Sequence, residues 1–199
     1  MALFRQWWLP AGLGPTEGGY VHYPVDELMS VLALESERHH CLVVGEDLGT
    51  VPPEVRHAMD ERAVYSYRVL LFEKHPDGMF RAPGDYPRRA IAAVTTHDLP
   101  TLKGYWNGTD IELRQRLELY PSEAVRRYVC EERERDRASM LGALRWQELL
   151  PDGCDGEYSD ALAHAIQVYL ARSAAALVVL QAEDLAGMSD PVNVPGTSH

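Results

Sequence analysis

An α/β fold is predicted by two observations: four short, continuous apolar runs, and amphipathic helical patterns between them. The runs are 41–44, 69–72, 90–94 and 176–180. Each is too short for a helix and lacks polar alternation, which is the pattern of strands buried on both faces of a parallel sheet. Among the helices, 25–38 places Leu28, Val31, Leu32 and Leu34 at helical spacing. Pro52-Pro53 starts a second helix through Arg62, because proline suits a first helical turn whose N–H groups have no partner. Residues 111–119 form a third. Pro121 begins a fourth that runs into 131–137, where Glu131-Glu132-Arg133-Glu134-Arg135-Asp136-Arg137 reads as a solvated face with mixed-sign i,i+4 pairs. Helices at 140–149 and 161–171 complete the set.

Turn residues fill 74–87, with His75-Pro76-Asp77-Gly78 as the strongest signal, and 152–156. Gly12-Leu13-Gly14 and Gly18-Gly19 lack both the preceding strand and the following Lys-Ser/Thr of a phosphate loop, so they are expected to form a flexible loop. Leu3, Phe4, Trp7 and Trp8 open the chain where a frayed polar tail is usual. The expectation is a cut through a structured region, with Trp7 and Trp8 in the core.

Composition narrows the function. The 199 residues are 46% hydrophobic and 25% charged, which argues against disordered, collagen-like and disulfide-scaffold classes. A chain of this length makes one large domain or two small ones and buries roughly 70% of its unfolded surface. Lys plus Arg number 19 against 30 Asp plus Glu, a net charge of −11 that repels a phosphate backbone, so nucleic acid is not an expected partner. The longest wholly apolar stretch, 174–180, falls far short of the roughly 20 residues of a membrane span. With neither a span nor a signal-like opening, no membrane partner and a cytoplasmic setting are expected. Cys41, Cys130 and Cys154 show no CxxC spacing, so neither a disulfide framework nor a zinc site is indicated. Cys41, opening an apolar run, is expected in the core.

Two run ends carry chemistry. In Gly45-Glu46-Asp47-Leu48-Gly49, acids follow a buried-strand pattern. A carboxylate at the C-terminal end of a parallel strand stands where barrel enzymes keep catalytic groups, beside an apolar wall that raises its pKa. Glu46 is thus a candidate general acid/base. On spacing alone, Glu46 or Asp47 as a plain strand-end acid capping the next helix is an equal reading. The run 90–94 ends the same way, in Thr95-Thr96-His97-Asp98-Leu99-Pro100-Thr101, and two such ends make a site a better reading than either alone. His97-Asp98, with His22, His39 and His40 as candidate further ligands, or with Glu46, also suggests a metal-dependent hydrolase, a weak signal because nothing else has ligand spacing. In a carbohydrate enzyme aromatic rings form platforms for the apolar faces of sugars, though most aromatics are core; of Tyr20, Phe72, Tyr105 and Trp106, Phe72 at a run end is best placed.

A resemblance rests on six motifs in order: Leu3-Phe4-Arg5-Gln6-Trp7-Trp8-Leu9-Pro10, Gly19-Tyr20-Val21-His22-Tyr23-Pro24, Gly45-Glu46-Asp47-Leu48-Gly49, Ser66-Tyr67-Arg68-Val69-Leu70, Thr96-His97-Asp98-Leu99-Pro100-Thr101 and Val192-Asn193-Val194-Pro195-Gly196-Thr197. Together they make the chain similar to the C-terminal part of the bacterial 4-α-glucanotransferases, the amylomaltases or disproportionating enzymes of glycoside hydrolase family 77. The resemblance implies a (β/α)8 TIM barrel. Residues 1–199 would be the C-terminal part of this single catalytic domain, truncated at both ends and holding roughly its second half, strands five to eight.

The resemblance also implies transfer of a 1,4-α-D-glucan segment to the 4-hydroxyl of an acceptor by a retaining double displacement, with maltooligosaccharides and other α-1,4-glucans as substrates and no cofactor or metal. By the same likeness Glu46 is the general acid/base and Asp98 the carboxylate that supports the transition state. His97, Phe72, Asp47 and Tyr20 are the substrate-binding residues. The family's nucleophilic aspartate lies in an Arg-Ile-Asp-His motif, absent from these residues. The expectation is therefore that the isolated chain turns over little and self-associates through exposed half-barrel edges. Two alternatives remain, a non-catalytic α-glucan-binding remnant and the metal-dependent hydrolase.

Overall fold

A computed structural model describes residues 3–150 and 153–197. Two compact units emerge, Met1–Tyr67 with Arg89–Ile91, and Arg68–Arg88 with Ala92–His199. The strands and helices are β1 (Arg5–Trp8), β2 (Gly19–His22), α1 (Val25–His39), β3 (Val44–Gly45), α2 (Pro53–Glu61), β4 (Tyr65–Val69), β5 (Ala90–Ala93), α3 (Leu102–Asn107), α4 (Thr109–Arg116), α5 (Glu123–Trp146), α6 (Asp160–Ala171), β6 (Leu177–Val179) and α7 (Ala182–Leu185). Alternating strands and helices confirm the α/β class. The strand order is β3-β4-β5-β6, with β3 and β4 parallel in the register Val44↔Tyr65 and Gly45↔Ser66. No helix among the described residues is long and apolar enough to cross a membrane.

In the first unit, α1 and α2 supply Met29, Val55 and Met59, which bury themselves with Val64. Acids Asp26 and Glu27 in the first turn of α1 and Arg38 and His39 in its last suit the helix dipole, and His40 closes it in the left-handed conformation. Gly45 packs closely against α2, because a Cβ there would stand 2.7 Å from the Met59 methyl, which would have to move aside. The Gly12 and Gly18-Gly19 region, expected to be a flexible loop, instead lies in or joins an antiparallel hairpin, β1 with β2, that pairs Trp7 with Tyr20.

Trp7 and Trp8 are 46% and 58% exposed, not core. They are held on the hairpin by the Tyr20 ring and by a hydrogen bond from Trp8 Nε1 to the Tyr23 hydroxyl. Cys41 is also exposed. Its N–H goes to the Ser36 carbonyl and its carbonyl accepts from the Ser36 hydroxyl, so it terminates α1 instead of opening a strand.

The second unit has a larger core in which Leu70, Leu144, Leu162, Ile166, Tyr169 and Leu170 are almost fully buried. The run 69–72 is not a strand. β4 lies mostly before it and ends at Val69, and Leu70–Phe72 turn as a 3-10 helix whose leucines plug the core. Burial on both faces holds for β5, where the successive residues Ala92 and Ala93 are 0% and 1% exposed, but not for β6, where Leu177 and Val179 are exposed. Helix α5 runs unbroken through 24 residues, so the helices expected from Pro121 and at 140–149 are one. No proline interrupts it, and the Ser122 side chain caps its start by accepting from the Val125 N–H. Helices α3 and α7 were not visible as patterns, being only six and four residues long. Of the turn at 152–156, Asp152 lies outside the described residues, while Gly153 and Gly156 have φ of 69° and 90°.

Candidate active site

The segment after β5 is folded by its own hydroxyls. Thr95, 1% exposed, donates to the Pro100 carbonyl over 2.9 Å and bends 96–100 into a tight loop. Within it the Thr96 hydroxyl accepts from the Asp98 N–H. Thr101 then does two tasks: its Oγ1 accepts from the Gly104 N–H as the N-cap of α3, and donates to the Met188 carbonyl over 2.7 Å. A Cβ at Gly104 would collide with the Ser189 carbonyl, so glycine lets α3 seat that backbone. Asp184 adds a third tie, accepting from the Leu102 N–H at 2.6 Å.

The consequence lies at the end of the seated segment. Asn193 donates to Asp98 Oδ1 at 2.6 Å, and His97 Nε2 stands 3.4 Å from Asp98 Oδ2. The Asp98 side chain is half exposed and aimed by two neighbours, which suits a carboxylate that must meet a ligand. Sequence reading picked out His97 and Asp98. Asn193 lay inside a quoted motif, yet its spacing gave no sign that it would reach Asp98.

Phe72, in the turn after β4, and Asp98, in the loop after β5, line one cleft of about 660 Å³. Phe72 is 51% exposed at the last position of the 3-10 turn. The same cleft is lined by a network the sequence did not reveal. Lys74 Nζ donates to both Asp136 oxygens at 2.8 Å, and the Tyr105 hydroxyl donates to Asp136 Oδ2 at 2.5 Å. Arg133 grips Asp110 through two bonds of 2.8 Å and stacks on the Tyr105 ring at 3.6 Å. Burial first, then the hydrogen bond to Asp136 and its charge, push the Tyr105 phenol far above its ordinary range, so it stays a donor.

This corrects the reading of 131–137 as a solvated face. Arg133 and Asp136 are both largely buried, while Glu131, Glu134 and Arg135 are exposed. The signal was there, because 129, 133, 136, 140 and 144 fall at intervals of three and four along one face that ends in Met140 and Leu144.

In the first unit, Glu46 follows β3 and is exposed. Its Oε1 accepts from the Leu48 N–H at 2.9 Å inside the loop before α2, whose start has no side-chain cap, so Glu46 does not cap that helix; Oε2 has no hydrogen-bond partner among the described residues. Asp47 is 1% exposed; its Oδ1 accepts from the Tyr67 N–H at 2.9 Å and its Oδ2 from Arg56 Nε at 3.3 Å. That carboxylate fastens the end of β3 to the middle of β4. Tyr20, 51% exposed, carries the Arg5 guanidinium 4.4 Å over its ring and Trp7 against it edge-on. Among the described residues no three His, Cys, Asp or Glu side chains converge as a metal would need.

Comparison with known proteins completes the description. The family profile described as 4-alpha-glucanotransferase matches residues 1–199. The chain is 41% identical along its whole length to a 4-alpha-glucanotransferase of Haemophilus influenzae, and 37% identical to one of Mycobacterium tuberculosis. It spans 29% and 28% of the lengths of those two relatives. The crystal structure of amylomaltase from Corynebacterium glutamicum superposes with a TM-score of 0.88 at 31% identity, over 98% of this chain and 29% of that one.

Proposed function

The chain belongs to the 4-alpha-glucanotransferase family, whose profile matches its whole length, and from that premise we propose that it handles the donor glucan in a retaining transfer between α-1,4-linked sugars. The observation that carries the reading is the shared cleft of Phe72 and Asp98, an aromatic face and an aimed carboxylate in one opening. Such a pair suits a glucosyl ring, whose C–H face stacks on an aromatic and whose hydroxyls donate to a carboxylate.

In this reading β3, β4, β5 and β6 are strands five to eight of a barrel. Glu46 protonates the leaving glycosidic oxygen and then takes the proton of the acceptor 4-hydroxyl. Its uncommitted oxygen leaves it free to do both. Asp98, aimed by Asn193 and His97, stabilises the positive charge that develops at the sugar ring. Asp47 positions the strand end beneath Glu46 through Tyr67 and Arg56. A retaining mechanism also needs a nucleophilic carboxylate roughly 5 to 5.5 Å from the acid/base. The nucleophile comes from an Arg-Ile-Asp-His segment outside these residues. Transfer outcompetes hydrolysis when the cleft holds the acceptor and excludes water.

The test is disproportionation of maltotriose, read as glucose release. The chain alone gives background turnover; together with the Arg-Ile-Asp-His portion of a family member it turns over, and Glu46→Gln abolishes the gain. Full activity of the chain alone would remove the need for an outside nucleophile, and turnover retained by Glu46→Gln would remove Glu46 from the mechanism. Among the described residues β3 and β6 each have one strand neighbour, and both expose apolar residues. Strand edges of this kind associate, so light scattering of the isolated chain should report assemblies; a monodisperse monomer would contradict this.

A further inference from the structure

A second groove, about 710 Å³, runs between the turn at His75, Asp77 and Met79 and the outer face of α5 at Tyr128, Arg135 and Ser139. It is not separate from the Phe72 and Asp98 cleft, because Lys74, Glu132 and Asp136 line both. The bond from Lys74 to Asp136 is therefore a saddle over which one opening continues into the other. Three of its features suit a polymer of sugars. Tyr128 is 58% exposed, with the Arg135 guanidinium 6.0 Å from its ring centre. The turn that forms the opposite wall is fixed to α5, since the Ser139 hydroxyl donates to the Gly78 carbonyl and accepts from the Phe80 N–H. Lys74, His75, Glu132 and Arg135 supply donors and acceptors along the path between the two aromatics.

We infer that this groove is an extended subsite for the same α-1,4-glucan: a chain held at Phe72 passes over the Lys74 and Asp136 saddle and stacks a more distant glucosyl unit on Tyr128. The inference rests on the glucan reading of the first cleft and adds the residues that read chain length. A short glucan fills the first cleft alone; a long one reaches both.

The experiment titrates the 199-residue chain calorimetrically with maltotriose and with maltoheptaose. Tyr128 is exposed, so Tyr128→Ala and Tyr128→Phe should fold, which circular dichroism checks. Tyr128→Ala is expected to lose roughly threefold to tenfold in affinity for maltoheptaose, the scale of one aromatic contact, and nothing for maltotriose. Tyr128→Phe should restore the loss, because the ring face and not the hydroxyl is the platform. Equal maltoheptaose affinity in the wild-type chain and Tyr128→Ala overturns the extended subsite while leaving the first cleft standing. Equal losses for both sugars also overturn it. Binding of neither sugar by the wild-type chain overturns the glucan reading and the subsite together.

Discussion

Asn193 donates its side-chain amide to Asp98 Oδ1 over 2.6 Å, joining residues 95 positions apart. A half-exposed carboxylate rotates freely unless something fixes it, and Asn193 with His97 does so. Asn193→Ala should leave the urea midpoint nearly unchanged, as surface substitutions do. Maltoheptaose affinity should fall by about threefold to tenfold, the worth of one charge-assisted hydrogen bond near solvent. Calorimetric titration checks this, and unchanged affinity would take Asn193 out of the site.

Asp47 and Glu46 are adjacent yet should behave oppositely. Asp47 is buried and satisfies the Tyr67 N–H, so Asp47→Ala orphans a donor and should cost about 2 kcal/mol in urea unfolding. Glu46→Gln touches an exposed side chain and should stay within about 0.5 kcal/mol. Similar losses for both would show that Asp47 does not fasten the strand end.

Arg133 holds Asp110 by two bonds where each side chain is only 10% exposed. Arg133→Met leaves that carboxylate buried without its cation and should cost about 3 kcal/mol. Arg133→Lys should not recover it, since lysine offers neither the fork nor the planar stack on Tyr105. Denaturant midpoints decide, and full recovery by lysine would reduce the pair to simple charge.

How much of this was legible follows from the kind of signal each feature leaves. Glu46, Phe72, His97 and Asp98 stand at or beside the ends of apolar runs, and run ends are visible in one dimension. The helices α1, α2 and α6 were visible too, because each repeats an apolar face or begins with a capping residue. Arg133 and Asp136 were hidden by composition, since a dense run of charges looks solvated until its three-and-four spacing is followed into Met140 and Leu144. Asn193, Lys74 and Tyr105 matter through partners 31 to 95 residues away, and no local pattern encodes such distances. Trp7, Trp8 and Cys41 went the other way, because an apolar residue type does not say which surface covers it.

Burial raises the Asp184 carboxyl above the ordinary aspartate value of 3.8, and its Oδ2 has no partner among the described residues. Between those two values the folded state holds a proton that the unfolded chain has lost, so Asp184 lowers stability as pH rises through the window. Asp184→Asn keeps an acceptor for Leu102 and removes the titration. The stability difference, variant minus wild type, should therefore grow in the variant's favour from pH 3.5 upward, by roughly 1 kcal/mol per unit of raised pKa. Urea curves at several pH values measure it, and a constant difference would contradict the assignment.

The most direct measurement is calorimetric titration of maltoheptaose into the chain and its Phe72→Ala variant. The shared cleft predicts saturable binding by the wild-type chain and an affinity lower by about tenfold once the ring is gone. Heats no larger than dilution for the wild-type chain, or identical isotherms for the two proteins, would contradict it.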